Sequence, residues 1–145
     1  MGETMTIEKI CLHISQVTGA SLIAVAEYNP SSQAIEWVYA DHPLNNRYKR
    51  MTVSYGKGVA GRVMQTATPF LCEDTDHLPA PLKEYPIILA EKLRSFIALP
   101  ISTSSVFGAV LLIGYRTTQS LPDIDTCRHQ VSLLTRFLQE KEAIK

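Results

Sequence analysis

Three glycines fall within six residues at Gly56-Lys57-Gly58-Val59-Ala60-Gly61, between an alternating stretch at 49–54 and a helix-like run at 59–67. A backbone this rich in glycine turns tightly or passes close to something else. Because the turn delivers the chain straight into a helix, the unpaired amides of the first helical turn point at whatever lies in front of them. That is an anion site built from backbone. The same six residues also fit a plain strand-to-helix connection, since one Gly-x-Gly is a weak anion signal.

Around this turn the hydrophobic pattern predicts the other elements. Thr4 or Thr6 caps a first helix with Ile7, Ile10, Cys11, Ile14 and Val17 at helical spacing, and Gly19 ends it. Strands at 20–28 and 33–40 flank a turn, Asn29-Pro30-Ser31-Ser32, and form a hairpin. Alternation along the second strand puts Ile35, Trp37 and Tyr39 on one face, with Trp37 inward. A polar loop leads to a third strand at 49–54, followed by the glycine turn, its helix, and a fourth strand at 69–74. A loop at 75–84 precedes a short helix at 85–93, where Pro86 suits a first turn. Two apolar strands, 95–101 and 106–115, form a central hairpin. A last helix from Asp123 sets Ile124, Cys127, Val131, Leu134 and Leu138 in one stripe. The fold class is α+β: a mostly antiparallel sheet of about six strands with helices on both faces.

A chain of 145 residues, 46% hydrophobic, suits one domain spanning 1–145 and burying roughly two thirds of its unfolded surface. Fourteen basic residues balance fourteen acidic ones, which argues against nucleic acid or an anionic membrane as partner. The longest apolar stretch, 106–115, is half of the roughly 20 residues a spanning helix needs, and no signal core follows the N-terminus. The expected location is cytoplasmic. Cys11, Cys72 and Cys127 form neither a complete disulfide framework nor a Cys-x-x-Cys pair, and read as reduced thiols. Glu73-Asp74-Thr75-Asp76-His77 has metal-ligand residue types but no second cluster to complete a shell, so no metal is expected.

The glycine turn, Glu73-Asp74 at a strand end, Ser95-Phe96-Ile97-Ala98-Leu99-Pro100-Ile101 and Gly108-Ala109-Val110-Leu111 together resemble the GAF domain over nearly the whole chain. That family consists of small sensory modules that bind ligands between sheet and flanking helices and often dimerise through terminal helices. Within it, Asn46-Arg47-Tyr48-Lys49-Arg50 and the run from Tyr85-Pro86-Ile87 to Phe96 look like the NreA type. The resemblance implies a stand-alone nitrate receptor, not an enzyme and without a cofactor, that acts on an oxygen-sensing histidine kinase of a two-component system. It also implies that nitrate is held by Trp37, Val59, Ala60, Tyr85, Pro86 and Ile87.

Other functions known in the family lack their residues here. GAF proteins that reduce free methionine sulfoxide carry a nucleophilic cysteine where this chain has Ala60, and alanine supplies no thiolate. The Asn-Lys-Phe-Asp-Glu motif of cyclic-nucleotide receptors is absent, and no cysteine or histidine stands at a recognisable bilin or haem attachment site. A ligand-free interaction module remains the bland alternative. In that case Trp37 is an ordinary core aromatic.

Overall fold

The computed structural model describes residues 5–102 and 108–144. Its frame is one six-stranded sheet in the order β3-β2-β1-β6-β5-β4, every neighbouring pair antiparallel. The strands are β1 (Leu22–Asn29), β2 (Ala34–Asp41), β3 (Thr52–Val53), β4 (Phe70–Cys72), β5 (Ser95–Ile101) and β6 (Ala109–Tyr115). Helices α1 (Ile7–Thr18), α2 (Gly58–Thr66), α3 (Pro86–Ala90) and α4 (Ile124–Ile144) complete it. The α+β class and helices on both faces are as the sequence predicts. Residues 103–107, which include the start expected for the last strand, lie outside the described residues.

Alternation along the central strands divides the interior in two. Leu22, Ala24, Ala26, Phe96, Ala98, Val110 and Leu112 face α2 and α3. Ile23, Val25, Ile97, Leu99, Leu111 and Ile113 face the terminal helices through Ile10, Cys11, Ile14, Cys127, Leu134 and Leu138. Thr6 caps α1 by accepting from Lys9 N at 3.2 Å, and Gly19, with φ 69°, closes its C-terminus.

Four expectations need correction. Tyr39 does not share a face with Trp37: a bulge pairs Val25 with Tyr39 but Ala26 with Trp37, leaving Val38 as the extra residue. Trp37 and Ala40 therefore point into the α2 side, and Tyr39 packs against the terminal helices. The third strand shrinks to two residues because Arg47–Arg50 form a 3-10 turn, which drops Tyr48 into the core. The short helix ends at Ala90, followed by Lys92 at φ 55°, a left-handed residue that no helix continues through. Val17 is 45% exposed rather than buried.

Candidate functional site

The glycine turn folds on its own hydrogen bonds. Gly56 N donates to Gly61 O at 2.9 Å and Lys57 N to Ser54 O at 3.0 Å. Gly58 sits at φ 62°, and a Cβ on Gly61 would fall 2.1 Å from Ser54 O, so the close approach of two backbone segments requires glycine there. These bonds consume the amides of Gly56 and Lys57. The amides of Gly58, Val59 and Ala60 have no partner inside the helix, by the geometry of any first turn, and among the described residues the N-cap Lys57 makes no side-chain capping bond. Three donors and the positive end of a nine-residue helix thus point the same way.

Tyr85 leads into α3 from the other side. It caps nothing with its side chain, and Pro86 occupies the first helical position. A cleft of about 220 Å³ runs between the two segments, lined by Gly56, Lys57, Gly58 and Arg62 on one side and Ala80, Glu84 and Tyr85 on the other. Two cations against one anion make its mouth positive. Tyr85 is held edge-on against Phe70, with ring centres 5.9 Å apart, and the Arg62 guanidinium lies 3.9 Å over the Phe70 ring.

Of the six residues singled out by resemblance, Trp37, Val59, Ala60, Tyr85 and Ile87 are buried in one cluster on the α2 side of the sheet. Pro86 is exposed, and as a proline it has no N–H to donate. The sheet beneath carries small Ala24, Ala26 and Ala98 among larger Leu22, Phe96, Val110 and Leu112. Trp37 pairs laterally with Ala26. The indole therefore brings one donor and a flat apolar face to the floor between sheet and helix.

Two features of the site lie beyond the motif reading. Tyr48 joins the same cluster from the 3-10 turn. Behind α3, Glu91 is 1% exposed and accepts at Oε1 from Leu44 N at 2.8 Å and from Arg116 Nη2 at 2.7 Å. Arg116 also donates through Nε to Glu91 O at 2.9 Å and through Nη1 to Ser21 O at 3.2 Å. One ion pair thus joins the end of α3, the loop after β2 and the end of β6. Cys72 edges the α2 side and its thiol is pushed up by burial, only partly offset by the Asp74 amide. Asp74 and Asp76 face Arg94 at 3.6 and 3.2 Å.

No protein-family model matches the chain, and no curated protein does. Solved structures match well. A mutated NreA protein from Staphylococcus aureus, altered in its nitrate binding site, is 30% identical, with a TM-score of 0.73 over 80% of this chain and 89% of that one. The GAF domain of a phosphoenolpyruvate-protein phosphotransferase from Coxiella burnetii shares the fold at 15% identity, with a TM-score of 0.77 over 94% and 82% of the two chains. Free methionine-R-sulfoxide reductase from Neisseria meningitidis shares it at 16%, with a TM-score of 0.69 over 92% and 74%. The antiparallel six-stranded sheet, the glycine turn feeding α2 and the 30% identity agree: the chain belongs to the GAF family, in its NreA type.

Proposed function

We propose that the chain is a single-domain cytoplasmic nitrate receptor that acts on an oxygen-sensing histidine kinase of a two-component system governing nitrate and nitrite respiration. The observation that carries this reading is the gathering of Trp37, the uncapped start of α2 and Tyr85 in one buried cluster beside a positively lined cleft. A relative of the same type is described by its nitrate binding site.

The chemistry suits this anion. Nitrate is planar, singly charged and weakly basic, so a buried Lys or Arg would lose more in desolvation than it gains. Backbone amides are donors that are already desolvated and aimed. In this reading Val59, Ala60 and Ile87 donate through their N–H groups, Trp37 lies against the ion and donates its indole N–H, Tyr85 walls the entrance, and Pro86 closes the outer rim. Lys57 and Arg62 draw anions to the mouth without being buried with them. Among the described residues no helix is long and apolar enough to cross a membrane.

Thiol catalysis has little to work with. Ala60 stands at the nucleophile's position, Cys11 and Cys127 lie on the opposite side of the sheet, and Cys72, which edges the α2 side, has its thiol pushed up by burial. Burial, with Asp41 and Glu8 adding to it, pushes Cys11 up to about 12. Its thiolate is scarce near neutrality.

Thermal unfolding with nitrate, nitrite, chloride, sulfate and cyclic GMP at matched ionic strength tests the reading. Nitrate at a hundred times its Kd is expected to stabilise by about 2.7 kcal/mol, a rise of several degrees, with little from the other ions. Trp37→Phe keeps a ring in the core but removes the N–H, and should shrink that rise. No rise with millimolar nitrate would overturn the proposal.

The terminal helices are proposed to seat a second copy. Between α1 and α4 runs a cleft of about 640 Å³ lined by Met5, Leu12, Leu133 and Phe137 among others, with Met5 58% and Leu12 44% exposed. Sedimentation at micromolar concentration should give twice the 16.1 kDa chain mass, and a monomer there would contradict the pairing.

A further inference from the structure

The outer side of α3 and of the 3-10 turn Arg47–Arg50 form one surface. Tyr48, Ile87 and Ile88 enter the same core, so the two segments turn their opposite sides outward together. Outward go Leu44 and Leu89, 49% and 51% exposed, and the exposed cations Arg47, Lys49, Arg50 and Lys92. Among the described residues none of these four forms an ion pair; Lys49 lies 6.0 Å from the ring centre of its neighbour Tyr48. Of the carboxylates nearby, two have partners among the described residues, and the third, Glu84 just before α3, is exposed. Glu91 is buried against Arg116, and Asp41 holds His42 at 2.7 Å.

An apolar centre with a charged rim is the anatomy of a protein interface. Four exposed cations stand on this rim against the one exposed carboxylate Glu84 beside it, in a chain whose net charge is zero, so its complement is acidic. Nucleic-acid surfaces of this size interleave aromatic side chains with the cations, and the outward residues here are aliphatic. The surface is also tied by a hydrogen bond to α3, which borders the proposed pocket. Glu91 Oε1 holds Leu44 N at 2.8 Å, so any displacement of α3 carries the loop before the 3-10 turn with it.

We propose that this surface docks the kinase through an apolar patch ringed by Asp and Glu, and that ligand alters docking by shifting α3. The assignment rests on the receptor reading above and gives it a face. A ligand can change docking only by its difference in affinity for the two positions of α3, and the Leu44–Glu91 link is where that difference reaches the surface.

The test is the affinity of the full chain for the intact, purified oxygen-sensing kinase of the same cell, with and without sodium nitrate. Leu89→Glu is expected to weaken binding about thirtyfold, as loss of a central anchor does. Arg47→Glu with Arg50→Glu should weaken it about tenfold at low salt and flatten its salt dependence. Leu71→Glu, at a position 51% exposed on edge strand β4, should bind like wild type. All variants should unfold as wild type does, which separates lost docking from lost folding. Wild-type affinity in both α3-face variants would overturn the proposal, as would equal weakening by Leu71→Glu. So would a nitrate-responsive wild type that binds no kinase, or loss in these variants of binding to phosphatidylglycerol vesicles in place of the kinase. Face-dependent kinase binding that ignores nitrate would instead sink the nitrate reading and leave the docking face standing.

Discussion

Glu91→Ala is expected to destabilise the fold by about 3–5 kcal/mol, lowering the melting temperature by on the order of 10 °C. The reason is the charge left behind. Arg116, whose side chain is 25% exposed, would keep its guanidinium against Glu91 O and Ser21 O with no carboxylate, and Leu44 N would lose its acceptor. Among the described residues Glu91 Oε2 has no partner, so the pair is itself incompletely satisfied. Its net stabilisation is therefore small even though breaking it is severe. That asymmetry is testable: Glu91→Met combined with Arg116→Met should recover most of the loss, giving a large coupling in a double-mutant cycle. A Glu91→Ala protein within about 1 kcal/mol of wild type would mean that water already solvates the pair.

Gly61→Ala is expected to lower stability by about 3 kcal/mol or more in urea unfolding, and to weaken any response to nitrate along with it. The added Cβ would lie 2.1 Å from Ser54 O and 3.2 Å from Gly56 N, both backbone atoms that cannot swing aside. Relief requires opening the turn, which breaks the bonds from Lys57 N to Ser54 O and from Gly56 N to Gly61 O. The amides of Val59 and Ala60 would then lose their aim. Gly108→Ala is the matched control, because a Cβ there meets Met64 Cγ only at 3.8 Å, an ordinary contact. Equal effects at the two glycines would show that the close approach does not govern the result.

The glycine turn was the most legible part of the chain because its constraint is local: three glycines in six residues leave few conformations other than a tight turn into a helix. The apolar stripes of the terminal helices and the hydrophobic strands were legible for the same reason. Tyr39 was not, because the bulge that reverses it arises from pairing with Val25 and Ala26 on β1. The period-two pattern at 49–54 ran one turn too far: Lys49 and Arg50 belong to the 3-10 turn Arg47–Arg50, whose three cations in four residues disfavour a half-buried strand. Glu91 and Arg116 stand 25 residues apart, each unremarkable in its own segment. Only the sheet order, which sets the end of β6 beside the end of α3, makes them a pair. Burial of Val59, Ala60, Tyr85 and Ile87 together followed from the family resemblance rather than from periodicity, which places each on a core face without saying that the faces meet.

Backbone amides at the start of α2 are the groups proposed to hold the anion, and amide NMR reads them one by one. Sodium nitrate titrated into labelled protein, against sodium chloride at equal ionic strength, should shift the Val59, Ala60 and Ile87 amides and the Trp37 indole N–H saturably with one Kd. Amides of α1, on the other side of the sheet, should stay in place. Saturable shifts confined to other residues, or none at all with millimolar nitrate, would contradict the claim.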